Sequence, residues 1–263
     1  MQIITSKENN LVKHICKLQE KKYRNQYNEF VVEGVKLVKE ALVEKAKIKK
    51  IIISESAKTS NLIEKYLRKE LENIDYIQVQ DSIFKLLSDC KSPQGILAVI
   101  EKEEVNENLI KQEDIIIALD GLQDPGNLGT ILRTIDSVGL TQVLVSKNTA
   151  DCYNSKVIRS TMGAIFRVKI IECEDFRNTL NNFKKRKYDI LVTSLGAKKS
   201  IYDVKLDKKI IVIGNEANGV TNQVLEIADE KTIIPMLGKT ESLNASVATG
   251  VILYEYVRQK ISK

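Results

Sequence analysis

Three short segments of this 263-residue chain place small, amide-bearing and charged residues at the ends of apolar runs. The first is Asp120-Gly121-Leu122-Gln123-Asp124-Pro125-Gly126-Asn127-Leu128-Gly129-Thr130-Ile131-Leu132-Arg133. Its Pro-Gly-Asn turn leads into a helix on which Leu128, Ile131, Leu132, Ile135 and Val138 share one face, leaving Arg133 on the other. An arginine there can face a cleft, and Gly129 one turn earlier permits close approach, although a solvated helix arginine reads the same way. The second is Ile213-Gly214-Asn215-Glu216-Ala217-Asn218-Gly219-Val220, where two glycines bracket an acid and two asparagines able to orient a hydroxyl or an amide, or simply to form a turn. The third runs from Ile233-Ile234-Pro235-Met236 to Ser242-Leu243-Asn244-Ala245-Ser246-Val247-Ala248, where Ser242 or Asn244 can cap a C-terminal helix.

These segments need elements to hold them, and the apolar pattern supplies them. Short continuous runs at 115–119, 142–146, 166–171, 190–195, 210–213 and 232–234, separated mostly by helical patterns, are the strands of a parallel sheet buried on both faces. Such sheets bind ligands outside the strand carboxyl ends, where all three segments fall. The last helix is expected to run to about Gln259 and to present Val247, Val251 and Tyr254 to the core. The first hundred residues read as a smaller α/β unit. Its helices lie at 11–22, 35–43, 62–71 and 83–87, and its strands at 30–32, 51–53, 76–79 and 96–100. The polar, acidic stretch at 105–112 is the expected linker between domains at 1–104 and 113–263.

Composition removes several chemistries. With His14 the one histidine, any Ser-His-Asp or Cys-His pairing would have to be built on that residue alone, and is not expected; Cys16, Cys90, Cys152 and Cys173 lack the spacing of a zinc site, so no metal is expected. They read as free thiols of a reducing cytosol. The glycine patterns are neither G-x-G-x-x-G nor a Walker loop. No run approaches the roughly 18 apolar residues of a membrane span, and the first residues have no apolar signal core, so a cytoplasmic location is expected. The formal charge of +6 belongs to residues 1–50, with 12 Lys and Arg against 6 acids, while the remainder balances at 29 and 29. The segment Lys17-Leu18-Gln19-Glu20-Lys21-Lys22-Tyr23-Arg24 mixes cations with an aromatic ring, which suits phosphates and a stacked base, or a solvated helix face.

Taken together and in this order, the three segments resemble the signature motifs of the SpoU/TrmH family of S-adenosyl-L-methionine-dependent RNA ribose 2'-O-methyltransferases, within the SPOUT superfamily. N-x-G-x-x-x-R is met by Asn127, Gly129 and Arg133, and G-x-E-x-x-G by Gly214, Glu216 and Gly219. The last motif is met by Ile234-Pro235-Met236 with 242–248, and 156–164 resembles the stretch between motifs one and two. Phe30-Val31-Val32-Glu33-Gly34 and Lys91-Ser92-Pro93-Gln94-Gly95 resemble that family's substrate-binding domain, related to ribosomal protein L30e.

The resemblance implies an L30e-like N-terminal α/β domain and a trefoil-knotted SPOUT domain with a parallel sheet, although general topology rules disfavour knots. It implies S-adenosylmethionine as cofactor, held at Gly214, Asn215, Ile234 and Leu243 and lined by Thr193, Ser194, Leu195 and Met236. It places Arg133 at the catalytic step, with Asn127, Glu216, Ser242 and Asn244 positioning Arg133, ribose and cofactor. Because a guanidinium stays protonated, Arg133 is better read as a clamp on the neighbouring phosphate than as a base. RNA contacts are expected at Lys21, Lys22, Arg24, Arg159 and Ser160, and a homodimer is expected. The substrate reads as 23S ribosomal RNA ahead of transfer RNA. The rival from another class is a non-catalytic RNA-binding or ribosome-assembly protein on the same fold.

Overall fold

The computed structural model describes residues 3–71, 74–103, 105 and 111–262, the side chain of Arg68 excepted. Most of the expected linker lies outside the described residues. The chain divides into two compact units, Met1–Glu104 with Tyr153–Phe166, and Val105–Cys152 with Arg167–Lys263. Residues 153–166, which sequence reasoning leaves in the second domain, thus group with the first unit.

In the first unit, α1 (Asn10–Lys17) starts where the Asn9 side chain accepts the Leu11 N–H, a standard N-cap. Its Val12 and Ile15, with Leu18 just beyond, recur at a helical period and are buried together. There follow α2 (Lys21–Tyr27), β1 (Glu29–Glu33), α3 (Val35–Val43), β2 (Ile48–Ser54), α4 (Asn61–Leu71), β3 (Ile77–Val79), α5 (Asp81–Leu87) and β4 (Ile96–Glu101). The sheet order is β1-β4-β2-β3, antiparallel except for the parallel β2–β3 pair. The single helix expected over 11–22 is two helices. Arg24 explains the break: it is 4 % exposed, and its guanidinium donates to the carbonyls of Leu18 and Gln19 at 2.7 Å each, closing the turn after α1.

The second unit opens with β5 (Ile115–Asp120), α6 (Pro125–Ser137) and β6 (Gln142–Ser146); α7 (Ser155–Thr161) belongs to the first unit. Then come β7 (Lys169–Cys173), α8 (Phe176–Lys185), β8 (Asp189–Thr193), β9 (Lys199–Ser200), β10 (Lys209–Gly214), α9 (Asn222–Leu225), β11 (Glu230–Ile233) and α10 (Ala245–Ile261). Seven strands run in the order β7-β6-β5-β10-β8-β11-β9, and every neighbouring pair is parallel. The central strands β5 and β10 are buried along nearly their whole length, which is why they read as unbroken apolar runs. Strand β10 lies between β5 and β8, although β8 precedes it in the chain. Sheet order reverses beside β5, and the loops after β5, β8, β10 and β11 all leave carboxyl ends.

Two expectations are corrected here, and one strand is new. The strand expected at 166–171 is displaced to Lys169–Cys173, because Ala164–Phe166 form a tight helical turn. The two-residue β9 carries too little pattern to be seen in sequence. The face of α10 is inverted: Thr249, Ile252, Leu253, Glu255 and Tyr256 are buried, while Val247 is 52 % and Tyr254 57 % exposed. Among the described residues no helix is long and apolar enough to cross a membrane.

Candidate active site

The loops after β8, β10 and β11, with the start of α10, enclose a cavity of about 720 Å³ within the second unit. Thr193, Ser194 and Leu195 line it from the end of β8, Gly214 and Asn215 from β10, and Ile234, Met236 and Leu243 from the segment joining β11 to α10. Glu216, Ser242 and Asn244 line it as well. The wall is mixed, with apolar Leu195, Ile213, Ile234 and Met236 beside the glycines and polar residues of the loops.

The β10 loop is built on glycine. Residues Asn215 and Gly219 exchange backbone hydrogen bonds of 2.9 Å, folding the loop back on itself. A Cβ on Gly214 would stand on the carbonyl carbon of Gly219 and the nitrogen of Val220, so only glycine permits this closure. Gly219 takes φ +68°, the left-handed region that favours glycine. The Asn215 side chain is consumed by the same loop: Oδ1 accepts from Ala217 and Asn218 N–H, and Nδ2 donates to the Gly121 carbonyl at 2.8 Å. With its backbone paired to Gly219 and its amide spent on the loop and Gly121, Asn215 shapes the cavity by holding the loop in place.

One directional hydrogen-bond chain ties the three sequence segments together. Asn244 is the N-cap of α10, its Oδ1 accepting from Ser246 N–H at 2.9 Å and from Val247 N–H at 3.3 Å. Backbone N–H groups only donate, so Oδ1 is fixed there and Nδ2 must point away. It donates to Asn127 Oδ1 at 2.9 Å. That fixes the Asn127 amide in turn, whose Nδ2 donates to Glu216 Oε1 at 3.0 Å. Glu216 also accepts the backbone N–H groups of Gln123 and Asp124, each at 3.1 Å. Burial pushes the Glu216 carboxyl up, but these donors, Asn127 first, outweigh it and hold it below the usual carboxylate range. A carboxylate so engaged is a poor proton acceptor at neutral pH. It locks the β5–α6 turn onto the β10 loop.

Asn127 thus links Glu216 to Asn244, and Ser242 lines the cavity with those two, while Asn127 stands behind the lining. Arg133 is not among the lining residues. It is exposed on α6, away from the buried Leu128, Ile131, Leu132 and Ile135, and no hydrogen bond or ion pair joins it to the described residues. Gly129 is itself buried, so its open face is used by the protein's own packing. Sequence reasoning missed Gln123, whose N–H holds Glu216 and whose side-chain amide donates to the Asn148 carbonyl. It also missed Ala245 and Ala248, small residues three apart on the cavity side of α10.

Lys21 and Lys22, in the first unit, are exposed on α2. Arg24 is not available to RNA, because its charge is buried on backbone carbonyls. Arg159, half exposed, turns toward Asp89 at 3.7 Å and the Cys90 sulfur at 3.8 Å, and Ser160 Oγ donates within its own helix to the Lys156 carbonyl. His14 pairs with Glu29 at 2.6 Å. No group of three or more His, Cys, Asp or Glu able to hold a metal occurs among the described residues.

Residues 114–254 match the SpoU rRNA methylase family, and residues 9–98 the MRM3-like substrate binding domain. The chain is 30 % identical over 255 residues to the 23S rRNA (guanosine(2553)-2'-O)-methyltransferase RlmP of Bacillus subtilis, covering 97 % of this chain and 98 % of that one. Its fold matches the SpoU methyltransferase AviRb of Streptomyces viridochromogenes, solved with AdoMet, at TM-score 0.86 and 25 % identity, over 97 % of this chain and 99 % of that one. An AdoMet-bound rRNA methyltransferase of Sinorhizobium meliloti matches at TM-score 0.82 and 28 % identity, over 98 % and 97 %. With its three motifs joined by one hydrogen-bond chain and a family match over more than half its length, the chain belongs to the SpoU rRNA methylase family.

Proposed function

We propose that this protein is an RNA 2'-O-methyltransferase that takes S-adenosylmethionine in the 720 Å³ cavity and methylates a ribose of 23S ribosomal RNA in the cytoplasm. The observation that carries the reading is the Asn244–Asn127–Glu216 chain, in which Asn127 of the first segment ties together two residues that line the cavity, one from each of the other segments. The cavity suits the cofactor: its volume lies in the usual range of about 300–1,000 Å³ for small-molecule sites, and an adenosyl group needs an apolar slot beside backbone donors and acceptors. Leu195, Ile234 and Met236 would form the slot, with loop backbone at Gly214 and Leu243 beside it.

Bound there, the cofactor supplies an electrophilic sulfonium methyl group. The protein's part is to align the ribose 2'-oxygen behind that methyl and to manage one proton. Arg133 stays charged and clamps the phosphate next to the acceptor ribose, stabilising the alkoxide that develops as the hydroxyl proton leaves toward that phosphate. Glu216, Ser242 and Asn244 set the rim against which ribose and cofactor meet, and Asn127 positions Glu216 and Asn244 from behind.

Arg133 does not line its own protomer's cavity, and this reading joins it to the site through a homodimer. The apolar row on α10, with Val247 and Tyr254 exposed and Val251 partly buried between them at spacings of four and three, is the surface such a dimer would cover. The trefoil knot and the L30e-like character of the first unit belong to the same reading, supported by the insertion of β10 between β5 and β8 and by the mixed four-stranded sheet. Calorimetry with S-adenosylmethionine and S-adenosylhomocysteine tests it. Binding of both, with single-turnover methylation lost in Arg133→Ala, is expected. Absence of binding would return the chain to a non-catalytic RNA-binding role, and a monomer of about 30 kDa by light scattering would remove the dimer.

A further inference from the structure

The basic segment at the start of the chain is more ordered than a solvated charge run. Burial of Val12, Ile15 and Leu18 sets the inner face of α1, which leaves Lys17 outside, and the buried Arg24 guanidinium fastens α2 to the end of α1. The residue that interrupts the basic patch thereby fixes the direction of its neighbours. Tyr23 and Tyr27, one helical turn apart on α2, lie nearly parallel, with centroids 6.2 Å apart and an interplanar angle of 14°. The Lys17 and Lys22 ammonium groups stand over the Tyr23 ring at 5.5 and 5.6 Å. His14 meets Tyr27 edge-on at 4.7 Å.

We infer that Tyr23, flanked by Lys17 and Lys22 and backed by Tyr27, is a stacking platform for one unpaired base of the RNA substrate. This rests on the methyltransferase reading and deepens it, naming the feature of the RNA that the first unit grips. A ring that attracts two ammonium groups presents an electron-rich, partly exposed face. A base can take that face, and the two lysines, released from it, are within one nucleotide's reach of the flanking phosphates. Stacking is indifferent to base identity and demands an unpaired nucleotide, because bases inside an A-form helix have no free face.

The test uses the full chain, a single-stranded RNA of about 12 nucleotides and a duplex of the same length. Tyr23→Ala is expected to weaken single-strand binding by about 10-fold while leaving the salt dependence of binding unchanged, and Tyr23→Phe to bind like wild type. Lys22→Ala is expected to lower the salt slope by about 1. The chain has no tryptophan, so Tyr23→Trp adds a lone indole, excited at wavelengths the tyrosines do not absorb, whose emission should be quenched by the single strand and not by the duplex. Unchanged affinity in Tyr23→Ala, equal loss in Tyr23→Phe, or no response of Tyr23→Trp at saturating RNA would overturn the platform. Failure of the wild type to bind S-adenosylmethionine would strike the methyltransferase reading instead, whatever Tyr23 does.

Discussion

Asn244 does two jobs with one amide, and a pair of substitutions separates them. Its oxygen caps α10 and its nitrogen holds Asn127. In Asn244→Ala both are lost: about 1 kcal/mol for the cap and about 1 kcal/mol for the hydrogen bond. For a unit of this size that is a fall in Tm of roughly 4–8 °C. In Asn244→Asp the cap survives, since a carboxylate caps as well as an amide and its charge suits a helix N-terminus. It has no hydrogen to give Asn127. Either Asn127 Oδ1 is left facing a carboxylate, or the amide turns and sets its oxygen against Glu216. One contact of about 1–3 kcal/mol is lost at the cavity rim in either case, enough to lower cofactor affinity by about 10-fold. Thermal unfolding with titration calorimetry reads both quantities: Asn244→Asp should keep the cap and lose only the few degrees that go with the rim contact, about 2–4 °C per kcal/mol, while binding S-adenosylmethionine weakly. Wild-type affinity and turnover in Asn244→Asp would refute the claim that the amide chain shapes the site.

Other consequences follow from single contacts. Arg24→Ala strips the donors from two carbonyls after α1 and should destabilise the first unit by about 2–4 kcal/mol in thermal unfolding, without changing the salt slope of RNA binding. Gly214→Ala drives a Cβ into the Gly219–Val220 backbone; cofactor binding should vanish in calorimetry while far-UV circular dichroism stays native. Glu216, held below the usual carboxylate range, contributes stability that is fully present above its unfolded value of about pH 4.3 and is lost as pH falls through its lower folded value. Glu216→Gln should therefore show a flatter acid limb than wild type in pH-dependent unfolding.

Much of this was legible in the residues because their physics is local. Buried parallel strands must be apolar on both faces, so β5, β6, β8 and β10 stand out as continuous runs. Turns need glycine and asparagine, and the site lies at the turns. What was hidden depends on distant partners. A charge pattern cannot show that Arg24 folds inward onto two carbonyls six and five residues back. Helix α10 carries apolar residues on both its buried and its exposed sides, so periodicity alone cannot say which side is core. The strand order with β10 beside β5 is a long-range choice that no local run encodes. The Asn127–Asn244 contact joins residues 117 apart, where capping by Asn244 could be read and its second bond could not.

The central claim is that the protein methylates a ribose in RNA, and ribose-methylation mapping of total RNA from cells with and without the gene tests it most directly. The account predicts one 2'-O-methyl group in 23S ribosomal RNA lost on deletion, restored by the wild-type gene and not by Arg133→Ala. An unchanged methylation map on deletion would contradict it.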